Sequence, residues 1–152
     1  MPAATSVAIG ELGNWLGREV ACSDWFELSQ ERIDAFAEAT EDRQWIHVDR
    51  ERARQSPYGT TIAHGFLTLS LLSRLLREAL EVQGLRMALN YGLNRVRFPA
   101  PVPAGSKIRA RFKLDSLKDI PGGVEAVFAA AIERQDAEKP VCVAEWVVRY
   151  YT

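Results

Sequence analysis

The stretch GFLTLSLLSRLLREALEV, residues 65 to 82, consists mostly of good helix formers and predicts the central element of the fold. Apolar side chains surround almost the whole circumference of its first half: Phe66, Leu67, Leu69, Leu71, Leu72, Leu75 and Leu76. A helix that is apolar all round is a buried helix. Gly84 stands where a C-terminal cap belongs. The sequence therefore predicts a long buried helix that runs to about Val82.

Two shorter helices are predicted before this one. Ser29 is a plausible N-cap, and Ile33, Phe36 and Ala37 follow the spacing of one buried helical face, so a helix should run from there to about Thr40. The Asp49 carboxylate is suited to cap a further short helix over the residues RERARQ, which Pro57 and Gly59 would end.

The second half of the chain has the two-residue period of β-strands. Residues 107 to 115 alternate charged and apolar side chains, which predicts a sheet with one dry and one wet face. Further strands are predicted over 87–98, 124–132 and 141–151, separated by Pro- and Gly-containing turns. Their short connections favour an antiparallel meander. The predicted class is α+β, a curved antiparallel sheet wrapped around a long central helix.

Composition narrows the class of protein. A chain of 152 residues with 47% hydrophobic residues is expected to form one domain over 1–152. The net charge of −1 gives no reason to expect nucleic acid or a membrane surface as a partner. Cys22 and Cys142 are far apart and match no disulfide framework or zinc motif. The first fifteen residues do not resemble a signal peptide, and no stretch is apolar enough to span a membrane, so a cytoplasmic location is expected.

The segment DRQWIHVD, residues 42 to 49, contains the first candidate site residues. It places Asp42 five residues before His47 in a chain with only two histidines. Both should lie in an irregular segment, where functional side chains are common. Alternatively, Asp42 is a solvated turn residue and His47 a surface or hydrogen-bonded core histidine.

The segment IAHGF, residues 62 to 66, adds a candidate hydrogen-bond donor. A helix that begins at Gly65 presents unpaired backbone N–H groups, and a glycine lets a ligand carbonyl come close because it has no Cβ. The alternative is a simple turn before a buried helix. An acid, a base and an N–H donor together indicate an active site more strongly than each alone.

The segment FAEATEDRQWIHVDRERARQSPYGTTIAHGFLTLSLLS, residues 36 to 73, resembles the MaoC-like, or (R)-specific, enoyl-CoA hydratases of hot-dog fold. Their motif has an Asp five residues before a His and an apolar-His-Gly sequence at the start of the central helix. The resemblance covers residues 30 to 75 and continues through NYGLNRVRFPAPVPAGSKIRA, residues 90 to 110. Gln44-Trp45 stands where the common motif has Asn-Pro, a filling similar to that of the nodulation protein N-like branch.

The resemblance assigns roles to five positions. It implies that Asp42 and His47 are the catalytic pair, that the Gly65 N–H is the oxyanion donor, and that the Ser73 hydroxyl supports Asp42. A Ser73 bonded to its own helix carbonyl is the alternative. His64 is interpreted as structural, with an unknown partner. Which of Asp42 and His47 moves which proton stays open.

The implied activity is that of a hydro-lyase which reversibly hydrates trans-2-enoyl thioesters to (R)-3-hydroxyacyl thioesters. The expected substrate is an acyl-CoA or acyl-carrier thioester, with no metal and no cofactor, and the resemblance implies a homodimer. A hot-dog thioesterase and a non-catalytic acyl-thioester binding module are the alternatives. For the dimer edge, the sequence offers only the apolar last strand, VCVAEWVVRYY, residues 141 to 151. The alternative is that its Trp146, Tyr150 and Tyr151 belong to the core.

Overall fold

The computed structural model describes residues 4–152, so the first three of the fifteen residues compared above with a signal peptide lie outside the described part. The helices are α1 Gln30–Thr40, α2 Trp45–Val48, α3 Arg50–Arg54, α4 Gly65–Ser70 and α5 Leu72–Ala79, with a 3-10 helix over Ile9–Trp15. The strands are β1 Thr5–Ala8, β2 Glu19–Cys22, β3 Phe26–Leu28, β4 Leu80–Gln83, β5 Met87–Arg97, β6 Ser106–Ile120, β7 Gly123–Arg134 and β8 Cys142–Tyr151.

The caps predicted for the two early helices are confirmed. The Ser29 hydroxyl accepts a hydrogen bond from the Arg32 N–H at 3.2 Å, and α1 ends at Thr40. The Asp49 carboxylate accepts from the Arg52 N–H at 3.0 Å and caps α3. Both bonds satisfy N–H groups that a helix leaves unpaired at its start.

The central helix is formed by α4 and α5, which are joined through Leu71 with right-handed helical angles. Five leucines of this helix are buried: Leu67, Leu71, Leu72, Leu75 and Leu76. The prediction of burial all round is wrong at Phe66, which is 72% exposed. The helix also ends at Ala79 rather than near Val82, because β4 leaves it and pairs in parallel with β1. That partner comes from the N-terminus and is invisible in the local pattern.

The six-stranded sheet has the order β2-β6-β7-β8-β5, with β3 also paired to β6, and all its pairs are antiparallel. The predicted meander is confirmed for β6, β7 and β8. It is wrong for β5, which lies beside β8 instead of β6. The connection over 98–105 carries three prolines and runs extended, with the Ala63 N–H bonded to the Val102 carbonyl and the Ala104 N–H to the Thr61 carbonyl. It cannot turn back as a hairpin while it pairs there.

The inner face of the sheet carries the core. Ile108, Ala110, Phe112 and Leu114 of β6 are buried, which confirms the alternation read from the sequence. The ring of Phe112 packs against those of Phe128 and Trp146, with ring centres 6.3 to 6.4 Å apart. These rings lie in one core cluster with the leucines of the central helix.

The exposed edge of the sheet is β5. The sequence suggested the last strand for this place, and that was wrong: β8 lies between β7 and β5, with Trp146 and Tyr150 buried. Within the described chain β5 pairs on one side only, and ten of its eleven residues are exposed. Among residues 4–152 no helix is long and apolar enough to cross a membrane.

Candidate active site

His47 lies in the single-turn helix α2 and is buried, rather than in an irregular segment as the sequence suggested. Its ring Nδ1 lies 2.7 Å from the Ile62 carbonyl oxygen. A carbonyl can only accept a hydrogen bond, so Nδ1 carries the hydrogen and donates it. In the neutral ring, Nε2 therefore holds the lone pair. The backbone segments that carry His47 and Ile62 are also hydrogen-bonded to each other, since the Ile62 N–H donates to the Ile46 carbonyl at 3.0 Å.

Asp42 lies in the exposed loop between α1 and α2. Glu41 ends α1 in the left-handed conformation, with φ of 62°, and this turn directs the chain toward α2. The Asp42 carboxylate accepts a long hydrogen bond of 3.4 Å from the Gln44 N–H. Next to it, Arg52 lies over the ring of Trp45 at 4.3 Å, so the unusual Gln-Trp filling has local packing of its own.

His64 connects the two sequence segments. Its ring Nε2 donates to the Asp42 backbone carbonyl at 2.9 Å, which supplies the partner that the sequence left unknown. The ring stacks on that of His47 with centres 3.8 Å apart and an angle of 23° between planes, and it also contacts Phe36. Its Nδ1 is buried without a hydrogen-bond partner among residues 4–152. The two histidines of the chain thus lie in direct contact.

We call Asp42, His47 and His64 the histidine corner. One carboxylate oxygen and one ring nitrogen from each histidine lie within 4.8 Å of one another. These three residue types are metal ligands in other proteins. Here each ring has one nitrogen bonded to a backbone carbonyl, that of Ile62 or that of Asp42, which leaves one nitrogen per ring to accept a proton or bind a ligand. Asp49, the other carboxylate of the segment DRQWIHVD, caps α3.

The surroundings of His47 lower its pKa below the ordinary value of 6.5. Burial is the largest cause, since it penalises the charged imidazolium. The hydrogen bond to the Ile62 carbonyl raises the pKa, the nearby His64 lowers it, and the Asp42 charge raises it. His47 is therefore neutral at pH 7, with an Nε2 lone pair that is able to accept a proton.

Gly65 lies beside the histidine corner. A cavity of about 450 Å³ is lined by both His47 and Gly65. Most of its other wall is apolar: Ile46, Ile62, Ala63, Phe98, Pro99, Ala100, Pro101, Val102 and Val141. A Cβ added to Gly65 would lie 3.2 Å from three atoms of the Phe98 ring, so any larger residue would push that ring. Glycine keeps this part of the cavity open.

Ser73 lies on α5, away from the residues that bond Asp42. Its hydroxyl accepts a hydrogen bond of 3.2 Å from the Asn90 side chain of β5, and the residue lines two adjoining cavities between α5 and β5. Within the described chain, no hydrogen bond joins Ser73 to Asp42. The supporting role implied by the resemblance stays a prediction.

Three residues that contact His47 or its neighbours were missed in the sequence. Ile62 accepts from the His47 ring, Gln30 donates to the His47 backbone carbonyl at 2.8 Å, and Thr61 donates to Gln30. An amide at the start of a helix and a threonine before an apolar pair have no distinctive pattern. Only the packing of α1 against α2 brings them together.

Comparisons with known proteins show the family of the chain. Residues 11–135 match the model of a family described as MaoC like domain. The chain is 50% identical over 147 residues to the 3-hydroxyacyl-thioester dehydratase Z of Mycobacterium tuberculosis, covering 96% of this chain and 97% of that protein. It is 40% identical to nodulation protein N of Rhizobium leguminosarum bv. viciae over 144 residues, covering 93% and 89% of the two chains.

A solved structure supports the fold. The (R)-hydratase from A. caviae involved in PHA biosynthesis superposes with a TM-score of 0.72 at 25% identity, covering 88% of this chain and 94% of that one. These relatives are named as a dehydratase and a hydratase, and the chain is a hydro-lyase of hot-dog fold. The chain belongs to the MaoC-like dehydratase family. The family, the nodulation protein N-like branch and the α+β hot-dog class predicted from the sequence are confirmed.

Proposed function

We propose that this protein is an (R)-specific hydratase that reversibly converts trans-2-enoyl thioesters to (R)-3-hydroxyacyl thioesters. The observation that carries the proposal is the cavity that His47 and Gly65 line together. In this proposal the His47 Nε2 accepts a proton and the Gly65 N–H donates a hydrogen bond to a substrate bound in this largely apolar cavity, as hydration of an enoyl thioester requires. The names of the dehydratase from M. tuberculosis and the hydratase from A. caviae support the reaction class.

His47 is the proposed base in the hydration direction. A water molecule held between the His47 Nε2 and the Asp42 carboxylate attacks C3 of the enoyl group, and Nε2 takes one proton of that water. The hydroxyl group stays on C3, and the former double-bond electrons move toward the thioester carbonyl. Asp42 orients the water and stabilises the transient imidazolium by its charge. General acid–base catalysis of this kind typically contributes about 10²–10⁴-fold.

The second half of the reaction returns the proton. The enolate oxygen is stabilised by the Gly65 N–H, a donor that is already in place before the charge develops. The His47 Nε2–H then protonates C2, which restores the neutral imidazole and completes the 3-hydroxyacyl product. Dehydration follows the same steps in reverse. The role proposed for the Gly65 N–H depends on its position at the first residue of α4.

The test follows the conjugated enoyl group and the thiol separately. Crotonyl-CoA is mixed with the protein, and the absorbance of the enoyl thioester is recorded while free thiol is measured in parallel. We expect absorbance loss without thiol release, and a product oxidised by an (R)-selective rather than an (S)-selective 3-hydroxyacyl-CoA dehydrogenase. Thiol release would identify a thioesterase instead. Silence in both channels across several chain lengths, on CoA and on acyl carrier protein, would favour a binding module.

We further propose that two copies pair through β5. The eight residues Met87 to Asn94 contain no charged side chain, whereas charges usually protect a free edge from pairing. Four large apolar side chains of this strand are 42–55% exposed: Met87, Leu89, Tyr91 and Leu93. A second copy would cover them and continue the sheet. It would also bring a second Ser73 near the interface, since this residue bonds to Asn90 of β5.

A cytoplasmic location is proposed with this activity. Both cysteines are free, Cys142 is buried, and burial raises the pKa of its thiol to about 11. Free thiols without a structural role in cross-linking agree with a reducing compartment.

A further inference from the structure

A chain of hydrogen bonds returns from the His47 side chain to the His47 backbone. The His47 carbonyl accepts from the Gln30 side-chain Nε2 at 2.8 Å. The same Nε2 donates to the Asp34 carboxylate one turn further along α1, also at 2.8 Å. An amide nitrogen has two hydrogens, so it can make both bonds at once. Gln30 thereby fastens α2 to α1 at the residue that carries the proposed base.

The other end of the Gln30 amide continues the chain of bonds. Its Oε1 accepts from the Thr61 hydroxyl, and Thr61 is 2% exposed. Thr61 precedes Ile62, whose carbonyl accepts from the His47 Nδ1–H at 2.7 Å. The four residues His47, Ile62, Thr61 and Gln30 thus close a loop of three hydrogen bonds and one peptide bond.

The orientation of the Gln30 amide is determined by its partners. The His47 carbonyl and the Asp34 carboxylate only accept hydrogen bonds, so the amide nitrogen must face them. The oxygen is then left for the Thr61 hydroxyl. A flipped amide would place one acceptor against two others. The loop of hydrogen bonds therefore has a single arrangement.

We propose that Gln30 and Thr61 are positioning residues that hold His47 in the tautomer with its hydrogen on Nδ1. They act by fixing the distance between the His47 backbone and the Ile62 carbonyl, so that Nδ1–H always meets its acceptor. If that distance changes, the hydrogen can move to Nε2, and this nitrogen, the proposed base, no longer accepts a proton. This inference rests on the proposed role of His47 as base.

The test reads the tautomer directly. Because the chain contains only two histidines, long-range ¹H–¹⁵N correlation spectra of protein labelled at histidine show two imidazoles, and His47→Gln identifies which is which. Thr61→Val has nearly the same shape but lacks the hydroxyl, and Thr61→Ser restores the hydroxyl. Gln30→Glu keeps an oxygen for Thr61 but removes both donors, and it serves if Thr61→Val does not fold.

We expect the wild-type protein and Thr61→Ser to hold His47 with the hydrogen on Nδ1. Thr61→Val and Gln30→Glu should show a mixture of tautomers, with kcat lowered about tenfold or more and KM unchanged. Ser23→Ala is the matched control, since Ser23 is likewise a buried hydroxyl and bonds to the Ala110 N–H of β6 rather than to any residue of the loop of hydrogen bonds. It should lower the melting temperature while it leaves the tautomer and kcat unchanged.

The failures of the two proposals are distinguishable. A wild-type tautomer in both Thr61→Val and Gln30→Glu would overturn the positioning role, whatever their activity. A mixture of tautomers combined with full activity of His47→Gln would retain the positioning role and remove His47 from the reaction. A fall in kcat in Ser23→Ala equal to that in Thr61→Val would show that loss of stability alone explains the effect, and would also overturn the proposal.

Discussion

The histidine corner and the edge strand β5 differ in whether their polar groups find hydrogen-bond partners within the chain. In the corner, the rings of His47 and His64 are buried, and each has one nitrogen bonded to a backbone carbonyl, while Gln30 and Thr61 bond nearby within the same chain. In β5, the backbone edge has no partner within the described chain, and apolar side chains such as Leu89 and Tyr91 are exposed. The hydrogen bonds that hold His47 are thus made within one chain, whereas the edge of β5 has no partner in the described chain.

Because of this difference, the orientation of the proposed base and the assembly of the chain can be tested separately, which a measurement of activity alone would not do. The orientation of the base depends on contacts within one chain, so it should survive in a monomer. The walls of the cavities between α5 and β5 depend on what covers the edge. Variants in the corner should therefore change chemistry without changing assembly, and variants in β5 should first change assembly.

The largest expected effect is in the corner. Asp42→Asn and His47→Gln should each lower kcat by about 10²–10⁴-fold, because general acid–base catalysis is lost while the cavity keeps its shape. Turnover of crotonyl-CoA and sedimentation velocity are measured on the same samples. Both variants should sediment like the wild-type protein. Unchanged turnover in either variant would remove that residue from the proposed mechanism.

The second prediction concerns assembly. Leu89→Glu should convert a dimer to a monomer at micromolar concentration, since it places a charge on the proposed interface and Arg149 of β8 can pair with it in the free chain. Leu16→Glu is the matched control, because Leu16 is exposed to nearly the same degree, 47% against 45%. Sedimentation checks both. A wild-type chain that is already monomeric, or equal effects of the two variants, would contradict pairing through β5.

The third prediction concerns the cavity wall. Gly65→Ala should lower kcat/KM about tenfold, because its Cβ meets the Phe98 ring at 3.2 Å and displaces it in the space the acyl group needs. Phe98→Leu in the same chain should restore part of the loss. Gly10→Ala is the control, since a Cβ there meets nothing within 4 Å. Equal activity of Gly65→Ala and the wild type would show that this wall does not touch the substrate.

The smallest effect is expected from pH. His47 must be neutral to accept a proton, and its pKa is lowered. As the pH is decreased, kcat/KM should therefore fall with a midpoint below pH 6.5. Stability should follow the same group: the unfolded chain takes up a proton near 6.5 and the folded chain only at lower pH, so stability present above 6.5 is lost between these two values. The pH dependence of kcat/KM and of the melting temperature is measured. His47→Gln should flatten the dependence of the melting temperature on pH. A rate midpoint above 6.5 would contradict the assignment.

Much of the fold could be predicted because its signals are local. The cap at Ser29, the cap at Asp49 and the alternation along β6 each depend on neighbouring residues, and each is confirmed. The end of the central helix was not predictable, because β4 becomes a strand only by pairing with β1, about 75 residues earlier in the chain. The place of β5 in the sheet depends likewise on the course of the segment over 98–105.

The site shows the same division. Asp42, His47 and Gly65 were found through motif spacing, and the structure places the first two with His64 and the last beside the cavity. The contacts that orient His47 come from Gln30 and Ile62, on separate elements, and neither residue type is distinctive there. Sequence patterns reveal residues with special chemistry. They do not reveal ordinary residues that become important through tertiary contact.

The N-terminal strands have a consequence for the order in which the chain can fold during synthesis. β1 finds its partner only when Leu80 has been made, and β2 finds β6 only when residues near Lys113 have followed. Contacts between such distant residues form slowly, because a long loop must close before they contribute. During synthesis, β1 and β2 therefore stay unpaired until the second half of the chain has been made. Shortening the chain from either end should leave strands without partners.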